Sequence, residues 1–239
     1  MDFGITFPSY IRAYHDAKMA EDYGFTHAWF YDSHMCYSDA YASMALTAKH
    51  TRYLKIGSLV SILGNRIAPV TAHSIATINE LAPGRVVLGV GTGFTGRNVM
   101  GMPPIKLKTM REEIGVIRDL LSGGDANYRE GDIERSIKFL HPDSGYINIA
   151  DRIPVYLAAS HPRAQALAGE LGDGVITLSI LAADSLRDNL AAVAKGWEAR
   201  AGGKPADYAA ITLGVSCVLR AGEAANSARV LSRIGPRIA

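Results

Sequence analysis

Short runs of apolar and β-branched residues alternate along the chain with longer segments whose apolar positions recur at helical spacing. The first run, residues 3–7, ends at Pro8, and small apolar residues at helical spacing follow it as far as Gly24. The run at 85–91 is almost wholly apolar, which is typical of a strand buried on both faces of a parallel sheet. We predict seven strands, at residues 3–7, 27–31, 54–62, 85–91, 153–160, 174–179 and 211–220.

Residues typical of helix ends lie between these strands. Asp39 and Asp184 have side chains that suit N-caps, and Pro69 and Pro162 suit first helical turns. The alternation breaks at 125–150, where turn residues and weak strand patterns predict an excursion from the main fold. The predicted helices lie at 13–23, 39–49, 69–82, 105–121, 162–171 and 184–201.

Regular alternation of strands and helices is typical of two α/β folds, the TIM (β/α)₈ barrel and the doubly wound parallel sheet. A barrel needs eight strands, and the sequence ends at Arg237–Ala239 after the seventh. The barrel hypothesis therefore implies that the C-terminal βα unit is missing from this chain. Residues 1–239 would then form a single domain, and its open sheet edge predicts a homodimer or a higher homo-oligomer.

Composition narrows the class of protein. Apolar residues make up 48% and charged residues 20% of the chain, which is ordinary for a globular protein and excludes intrinsic disorder. The 25 basic and 23 acidic residues form no basic run, so we expect a small-molecule partner, no nucleic acid and no membrane. Cys36 and Cys217 lie in no metal-ligand spacing, so we expect no metal site. Because there is no basic leader or long apolar stretch, the sequence predicts a cytoplasmic protein.

The glycines of Gly91–Gly96 form a GxGxxG motif directly after the fourth predicted strand. In a Rossmann fold a helix would begin within these glycines and bind the pyrophosphate of NAD(P). We instead predict a loop as far as Ile105, because Pro103 and Pro104 precede the next helical pattern. An NAD(P)-binding dehydrogenase is therefore the weaker hypothesis. The alternatives are a plain tight loop and a loop that brings backbone close to a flat cofactor.

Segment Asn79–Gly93 resembles a motif of the bacterial luciferase-like superfamily of flavin- and deazaflavin-dependent oxidoreductases. Within the superfamily, Gly93–Arg97 and Phe139–Asp143 are most similar to proteins like methylenetetrahydromethanopterin reductase. The resemblance covers residues 2–220. Three further segments agree with it in order and spacing, namely Arg66–Ala72, Pro154–Ser160 and Leu167–Val175.

This resemblance implies a luciferase-like TIM barrel and an oxidoreductase activity. The enzyme would use coenzyme F-420 or reduced FMN for hydride transfer to, or monooxygenation of, a small organic substrate. We favour coenzyme F-420, because the most similar motifs belong to deazaflavin-dependent proteins. The alternative from another class is a non-catalytic flavin-binding relative with an incomplete barrel.

The resemblance also implies where the cofactor ring lies. Members of the family carry a bulge in the third strand, often with a cis peptide bond between non-proline residues, that backs the central ring. The matching positions are Leu59 and Val60, followed by Ser61. The ring would also lie against Gly91 and Gly93. An ordinary buried strand is the alternative for Leu59 and Val60.

Two loops would hold the phosphate of the cofactor in relatives. One follows the fifth strand and opens a helix, and the other enters the sixth strand. Helix N-termini bind phosphate because their first N–H groups are unpaired. His161 stands where many relatives have glycine, and Ser160 has a plain N-cap as its alternative role. The matching positions are Ala159, Ser160, His161, Gly174, Val175 and Ile176.

His34 is the candidate catalytic residue. It follows Asp32 at the end of the second strand, where deazaflavin-dependent relatives often carry an acid and a histidine near the reacting face. We count Asp32 with the cofactor-binding residues. A surface or hydrogen-bonded structural histidine is the alternative for His34. Sugar-phosphate dehydrogenases of the family carry a catalytic glutamate where this chain has Phe94, which argues against that activity.

Overall fold

The computed structural model describes residues 1–177, 183–214 and 217–234. The strands, in chain order, are β1 (Gly4–Phe7), β2 (His27–Phe30), β3 (Lys55–Ser58), β4 (Ser61–Ile62), β5 (Val86–Gly91), β6 (Ala126–Glu130), β7 (Ile133–Ile137), β8 (Val155–Ala158), β9 (Gly174–Thr177) and β10 (Ala209–Thr212). The helices are α1 (Ala13–Asp22), α2 (Ala40–His50), α3 (Ala68–Leu81), α4 (Phe94–Val99), α5 (Leu107–Leu121), α6 (Pro162–Leu171), α7 (Ala183–Ala199) and α8 (Ala228–Ile234).

The main sheet is parallel, and its strand order β1-β2-β3-β5-β8-β9-β10 follows the chain, with β4 paired to β5. The sheet curls, since the rings of Trp29 on β2 and Tyr156 on β8 lie 6.3 Å apart although two strands separate them. A doubly wound sheet would reverse its strand order at a crossover, and this sheet does not. The fold is therefore a partial TIM barrel with seven strand positions. The barrel prediction is confirmed.

Apolar residues fill both faces of the curled sheet. The indole of Trp29 fits inside the curl because positions 4 and 57 are glycines. A Cβ on Gly4 or Gly57 would lie only 2.8 or 2.3 Å from the indole. The larger outer cluster packs the sheet against the helices and includes Phe30, Leu88, Leu157 and Val175. The smaller inner cluster consists of Trp29, Leu59, Val87 and Ile176.

The third predicted strand, 54–62, is divided in two. A cis peptide bond between Leu59 and Val60 separates β3 from β4. β3 pairs with β2 on one side and with β5 on the other, and β4 pairs with β5 further along. The expectation of a non-proline cis peptide at this position is confirmed.

Helix α4 lies where the sequence predicted a loop as far as Ile105, so that prediction was wrong. The chain turns at Gly93, whose φ is 84°, and α4 begins at Phe94, within the GxGxxG motif. Six residues are too few to show helical periodicity. One argument against a Rossmann fold was therefore wrong, and the strand order excludes that fold instead.

Two helix caps differ from expectation, namely Asp184, which was predicted as an N-cap, and Ser160, for which an N-cap was the alternative role. The N-cap of α6 is His161 rather than Ser160, because Pro162 takes the first helical position and the cap precedes it. Helix α7 begins at Ala183, so Asp184 lies in its first turn, where a carboxylate still complements the positive helix end. The cap at Asp39 is confirmed, since its Oδ1 accepts a hydrogen bond of 2.9 Å from the N–H of Ala42.

The remaining differences lie in the excursion and near the C-terminus. The excursion contains the antiparallel hairpin β6–β7, outside the main sheet. The last predicted strand, 211–220, is shorter and starts earlier, as β10, and α8 was not predicted. Residues 178–179 and 215–216 of two predicted strands, and the end at 235–239, lie outside the described residues.

A buried carboxylate, on Asp173 just before β9, binds the start of β8. Oδ2 of Asp173, whose side chain is only 6% exposed, accepts a hydrogen bond of 3.0 Å from the N–H of Val155. Arg118, Arg152 and Arg200 each bring a guanidinium nitrogen within 3.0 to 3.4 Å of Oδ1. Burial alone would raise the pKa of Asp173, but the Val155 N–H and the guanidinium groups of Arg118 and Arg152 lower it below its usual range.

A glycine in the middle of helix α5 allows the helical backbone conformation there to be tested. A Cβ on Gly115, in the middle of this helix, would meet no atom within 4 Å. We expect Gly115→Ala to raise the free energy of unfolding by about 0.5–1 kcal/mol, because glycine loses more conformational freedom in a helix than alanine does. Urea unfolding followed by circular dichroism measures this. As the control, Gly196→Ala in α7 should destabilise, because its Cβ would lie 1.9 Å from the Ala166 carbonyl oxygen.

Candidate functional site

A cavity of about 130 Å³ opens among the C-terminal ends of the strands. TIM-barrel enzymes carry their active sites at this end of the barrel. Leu59, Val60, Ser160 and Ile176 are predicted cofactor positions, and the other three lining residues were not predicted. The cavity is lined by Leu59, Val60, Ala158, Ser160, Ile176, Thr177 and Leu213.

A larger groove, of about 620 Å³, lies at the opposite end of the sheet, beside the residues that lead into β3. Its walls carry charges of both signs, and none of the predicted site residues lines it. Glu21, one of its walls, has a structural role, since Oε1 accepts hydrogen bonds from three backbone N–H groups. The groove therefore has no part in the candidate site.

Two glycines on β5 and one just after it let the segment around the cis peptide lie close to this strand. A Cβ on Gly91 would lie 2.5 Å from Cγ2 of Val60, and a Cβ on Gly89 would lie 2.2 Å from the Ser58 carbonyl oxygen. A Cβ on Gly93 would lie 2.3 Å from Cγ2 of Ile62. Packing against Val60 and Ile62 thus requires glycine at the two predicted ring positions. Their contact with a cofactor stays a prediction.

The N-terminus of α6 lies next to the cavity-lining residue Ser160. The N-cap residue, His161, makes no capping hydrogen bond through its side chain. The first-turn N–H groups of Arg163 and Ala164 therefore have no side-chain cap, and such groups bind anions. Arg163 adds a positive side chain that the sequence analysis did not single out.

The two predicted phosphate loops are joined to each other. The N–H of Ala159 donates a hydrogen bond of 3.0 Å to the carbonyl oxygen of Ile176. Val175 is fully buried in the outer core, and a Cβ on Gly174 would lie 2.8 Å from the ring of Tyr156. Gly174 and Val175 could therefore contact a ligand only through their backbone, whereas Ile176 lines the cavity.

Asp32 and His34 come together at the end of β2. Oδ2 of Asp32 accepts a hydrogen bond of 3.2 Å from the N–H of Ile62, and Oδ1 lies 3.7 Å from Nε2 of His34. Burial raises the pKa of Asp32 above its ordinary value, whereas the charge on His34 and the Ile62 N–H act to lower it. A buried carboxyl group beside an imidazole is an arrangement that can hold or orient a proton.

Asn65 and Arg97 also surround His34, and neither was predicted as a site residue. Nδ2 of Asn65 lies 3.3 Å from Nδ1 of His34, and Nη1 of Arg97 donates a hydrogen bond of 2.9 Å to Oδ1 of Asn65. The backbone carbonyl oxygen of Pro103 accepts a second hydrogen bond from Arg97, of 2.6 Å. No local pattern shows their contact with His34, because these residues meet only after α4 and the β4 segment have packed together.

Ser61 differs from the other predicted ring positions. Its hydroxyl is buried and lies 2.8 Å from the hydroxyl of Tyr41 on α2. The guanidinium carbon of Arg66 lies 4.8 Å from the centre of the Tyr41 ring, and Arg66 also pairs with Asp39. The side chain of Ser61 therefore packs α2 against the barrel and is not among the cavity-lining groups.

The described part of the chain has no metal centre of the usual kind. Within it, no group of three or more His, Cys, Asp and Glu side chains is placed to hold a metal ion. Among the same residues, no helix is both long enough and apolar enough to cross a membrane. Phe94, at the start of α4, is 77% exposed and supplies no titratable group.

Comparisons with known proteins agree with this geometry. The 5,10-methylenetetrahydromethanopterin reductase of Methanolobus tindarius is 36% identical over 183 residues, which are 74% of this chain and 53% of that protein. The coenzyme F-420-dependent glucose-6-phosphate dehydrogenase of Nakamurella multipartita is 36% identical over 126 residues, 51% of this chain and 36% of that protein. The chain spans about half the length of the curated reductases it matches.

A solved structure shares the fold. The coenzyme F-420-dependent tetrahydromethanopterin reductase from Methanopyrus kandleri superposes with a TM-score of 0.73 at 24% identity, over 88% of this chain and 65% of that one. The family model described as luciferase-like monooxygenase matches residues 8–235, nearly the whole chain. The parallel, curled sheet and this match lead to one conclusion: the chain belongs to the bacterial luciferase-like family.

Proposed function

We propose that this protein is an oxidoreductase that holds coenzyme F-420, or reduced FMN, at the C-terminal ends of its strands and acts on a small organic substrate. The observation that carries the proposal is the cavity between Leu59–Val60 and Ser160, next to the uncapped N-terminus of α6. The names of the relatives support it, since they are a reductase and a coenzyme F-420-dependent dehydrogenase.

The residues present fit such a cofactor. Leu59, Val60 and Ile176 offer an apolar wall for a flat ring, and the α6 N-terminus with Ser160 offers donors for a phosphate. When bound, the reduced cofactor would supply the hydride, and the protein would supply position and electrostatics. His34, beside Asp32, would hold a hydrogen-bonding group toward the substrate.

Coenzyme F-420 is the preferred cofactor in this proposal. The Nakamurella relative is named for its dependence on it, and the segments Gly93–Arg97 and Phe139–Asp143 resemble deazaflavin-dependent proteins. Equilibrium titration of the purified protein with each cofactor, followed by quenching of the cofactor's fluorescence, separates the two. Tight FMN binding without F-420 binding would reverse the preference, and binding of neither would contradict the proposal.

Replacing Ser160 tests the phosphate end of the site. We expect Ser160→Ala to weaken cofactor binding by about 10-fold, because a hydrogen bond to a charged group is worth about 1.5–3 kcal/mol, part of which the helix N–H groups retain. The same titration gives the dissociation constant. Ser144→Ala, at an exposed serine of the excursion, is the control and should leave affinity unchanged. Equal affinity in both variants would remove Ser160 from the site.

A non-catalytic cofactor-binding protein is the second candidate function. The exposed Phe94, at the position where sugar-phosphate dehydrogenases of the family carry an acid, favours it over that particular activity. Cofactor binding without reduction of any acceptor in a broad panel would support it.

Self-association through the edges of β1 and β10 is a further part of our proposal, because sheet edges offer N–H and C=O groups for pairing. We also propose a cytoplasmic location.

A further inference from the structure

The hydrogen-bond directions along the series Arg97, Asn65 and His34 can be assigned by starting from Arg97. The guanidinium of Arg97 has only donors, so the Asn65 atom 2.9 Å from its Nη1 must be the acceptor, Oδ1. The amide nitrogen Nδ2 of Asn65 is then the atom 3.3 Å from Nδ1 of His34. The thioether sulfur of Met100, a weak acceptor, lies 3.7 Å from the same Nδ2, which agrees with this orientation.

The amide orientation determines what Nδ1 of His34 can do. An amide NH₂ has no lone pair to offer, so Nδ1 must accept the hydrogen bond and cannot carry a proton. In a neutral imidazole the proton then lies on Nε2, the nitrogen 3.7 Å from Oδ1 of Asp32. The opposite tautomer would set the N–H of His34 against the NH₂ of Asn65, two donors facing each other.

Asp32 is compatible with the same tautomer. Its Oδ2 accepts a hydrogen bond from the backbone of Ile62, and Oδ1 is left on the side of Nε2. At 3.7 Å the separation exceeds a hydrogen bond. The Nε2–H group is thus attracted by the carboxyl group without forming a hydrogen bond to it, and the His34 side chain is 26% exposed, so the group can donate to a ligand.

We propose that Asn65, anchored by Arg97, is a positioning residue that holds His34 in its Nε2–H tautomer and so makes it a hydrogen-bond donor at the site. The ligand group that meets His34 is then an acceptor atom, such as a carbonyl oxygen or an imine nitrogen. The consequence for turnover rests on the proposed function. The tautomer itself does not, because it follows from contacts within this chain.

Nitrogen NMR of the uniformly ¹⁵N-labelled protein tests the tautomer without any cofactor. The measurement is made near pH 8.5, well above the ordinary imidazole pKa of about 6.5, and comparison with His34→Gln assigns the His34 signals among the 7 histidines. We expect the unprotonated ring nitrogen of His34 to be Nδ1. A protonated Nδ1, or averaged signals from both tautomers, would overturn the proposal.

A variant of Asn65, compared with a matched control, gives a second test of the tautomer. Asn65→Asp keeps the shape but offers only acceptors, so we expect His34 to switch to the Nδ1–H tautomer. Asn98→Asp is the matched control, since it adds the same charge at an exposed position next to Arg97 in α4 and should leave the tautomer unchanged.

Activity gives an independent readout. In the cofactor-loaded enzyme, Asn65→Asp should lower kcat by about 10-fold or more with little change in cofactor affinity, on the scale of one misplaced hydrogen bond. An unaltered kcat together with a switched tautomer would refute the positioning role. Failure of the protein to bind either cofactor would refute the proposed function alone, because the NMR result would still decide the tautomer. Should Asn65→Asp not fold, the wild-type spectrum decides it.

Discussion

Replacing His34 by alanine is expected to lower turnover by about 10²-fold or more while leaving cofactor affinity nearly unchanged, the usual scale for a side chain that donates or transfers a proton in the transition state. His34 lies beside the buried Asp32 at the end of β2, and the wall proposed for the cofactor ring is formed by other residues. Steady-state kinetics with a saturating reduced cofactor gives kcat, and the binding titration gives affinity.

The control for this variant is His73→Ala, at an exposed histidine on α3. It should change neither kcat nor the dissociation constant. Full turnover in His34→Ala would make His34 a structural residue. Catalysis would then consist of cofactor positioning without help from a side chain. Loss of cofactor binding in His34→Ala would instead move His34 from the substrate side of the site to the cofactor side.

Replacing Asp173 by asparagine is expected to lower the free energy of unfolding by about 3 kcal/mol, the lower end of what breaking a buried ion pair costs. The lower end applies because Arg118 and Arg152 are 35% and 55% exposed and are partly screened by water. Chemical denaturation followed by circular dichroism measures the change. Asp207→Asn removes an exposed partner of Arg152 and should cost about 0–1 kcal/mol.

The same carboxylate predicts a dependence of stability on pH. Because the pKa of Asp173 is lowered in the folded state, its contribution is fully present above the unfolded-state pKa of about 3.9. It is lost as the pH falls from there through the lower folded-state value. The difference in unfolding free energy between wild type and Asp173→Asn should therefore shrink in strongly acidic solution. A difference independent of pH would show that the lost charge is not its cause.

Much of the fold could be predicted from the sequence because a parallel barrel repeats one strong pattern. All seven predicted strand positions exist, since each was a short run rich in apolar and β-branched residues between segments of helical spacing. Helix α4 was missed because tertiary contacts hold it rather than periodicity. A Cβ on its Gly96 would lie 2.4 Å from Cδ1 of Ile62, and its Phe94 is exposed.

The candidate site was predictable in its backbone and in the local pair of Asp32 and His34. The resemblance placed the cis peptide at Leu59–Val60 because that position follows from local spacing. The other side-chain contacts could not be predicted, since they join distant parts of the chain. Asn65 and His34 are 31 residues apart, and Arg118 lies 55 residues from Asp173. Such pairs leave no local pattern, and they become visible only when the strands stand side by side.

The strand order of the main sheet also has a consequence for biosynthesis. Among the described strands, each position after β1 pairs with the position before it in the chain, and the β6–β7 hairpin interrupts the series. As the polypeptide leaves the ribosome, each new βα unit therefore finds its partner strand already made. Loop closure then spans one unit at a time, which keeps the entropic cost of each step small. Residues His34, Val60 and Gly91 would take their places in the order in which they are translated.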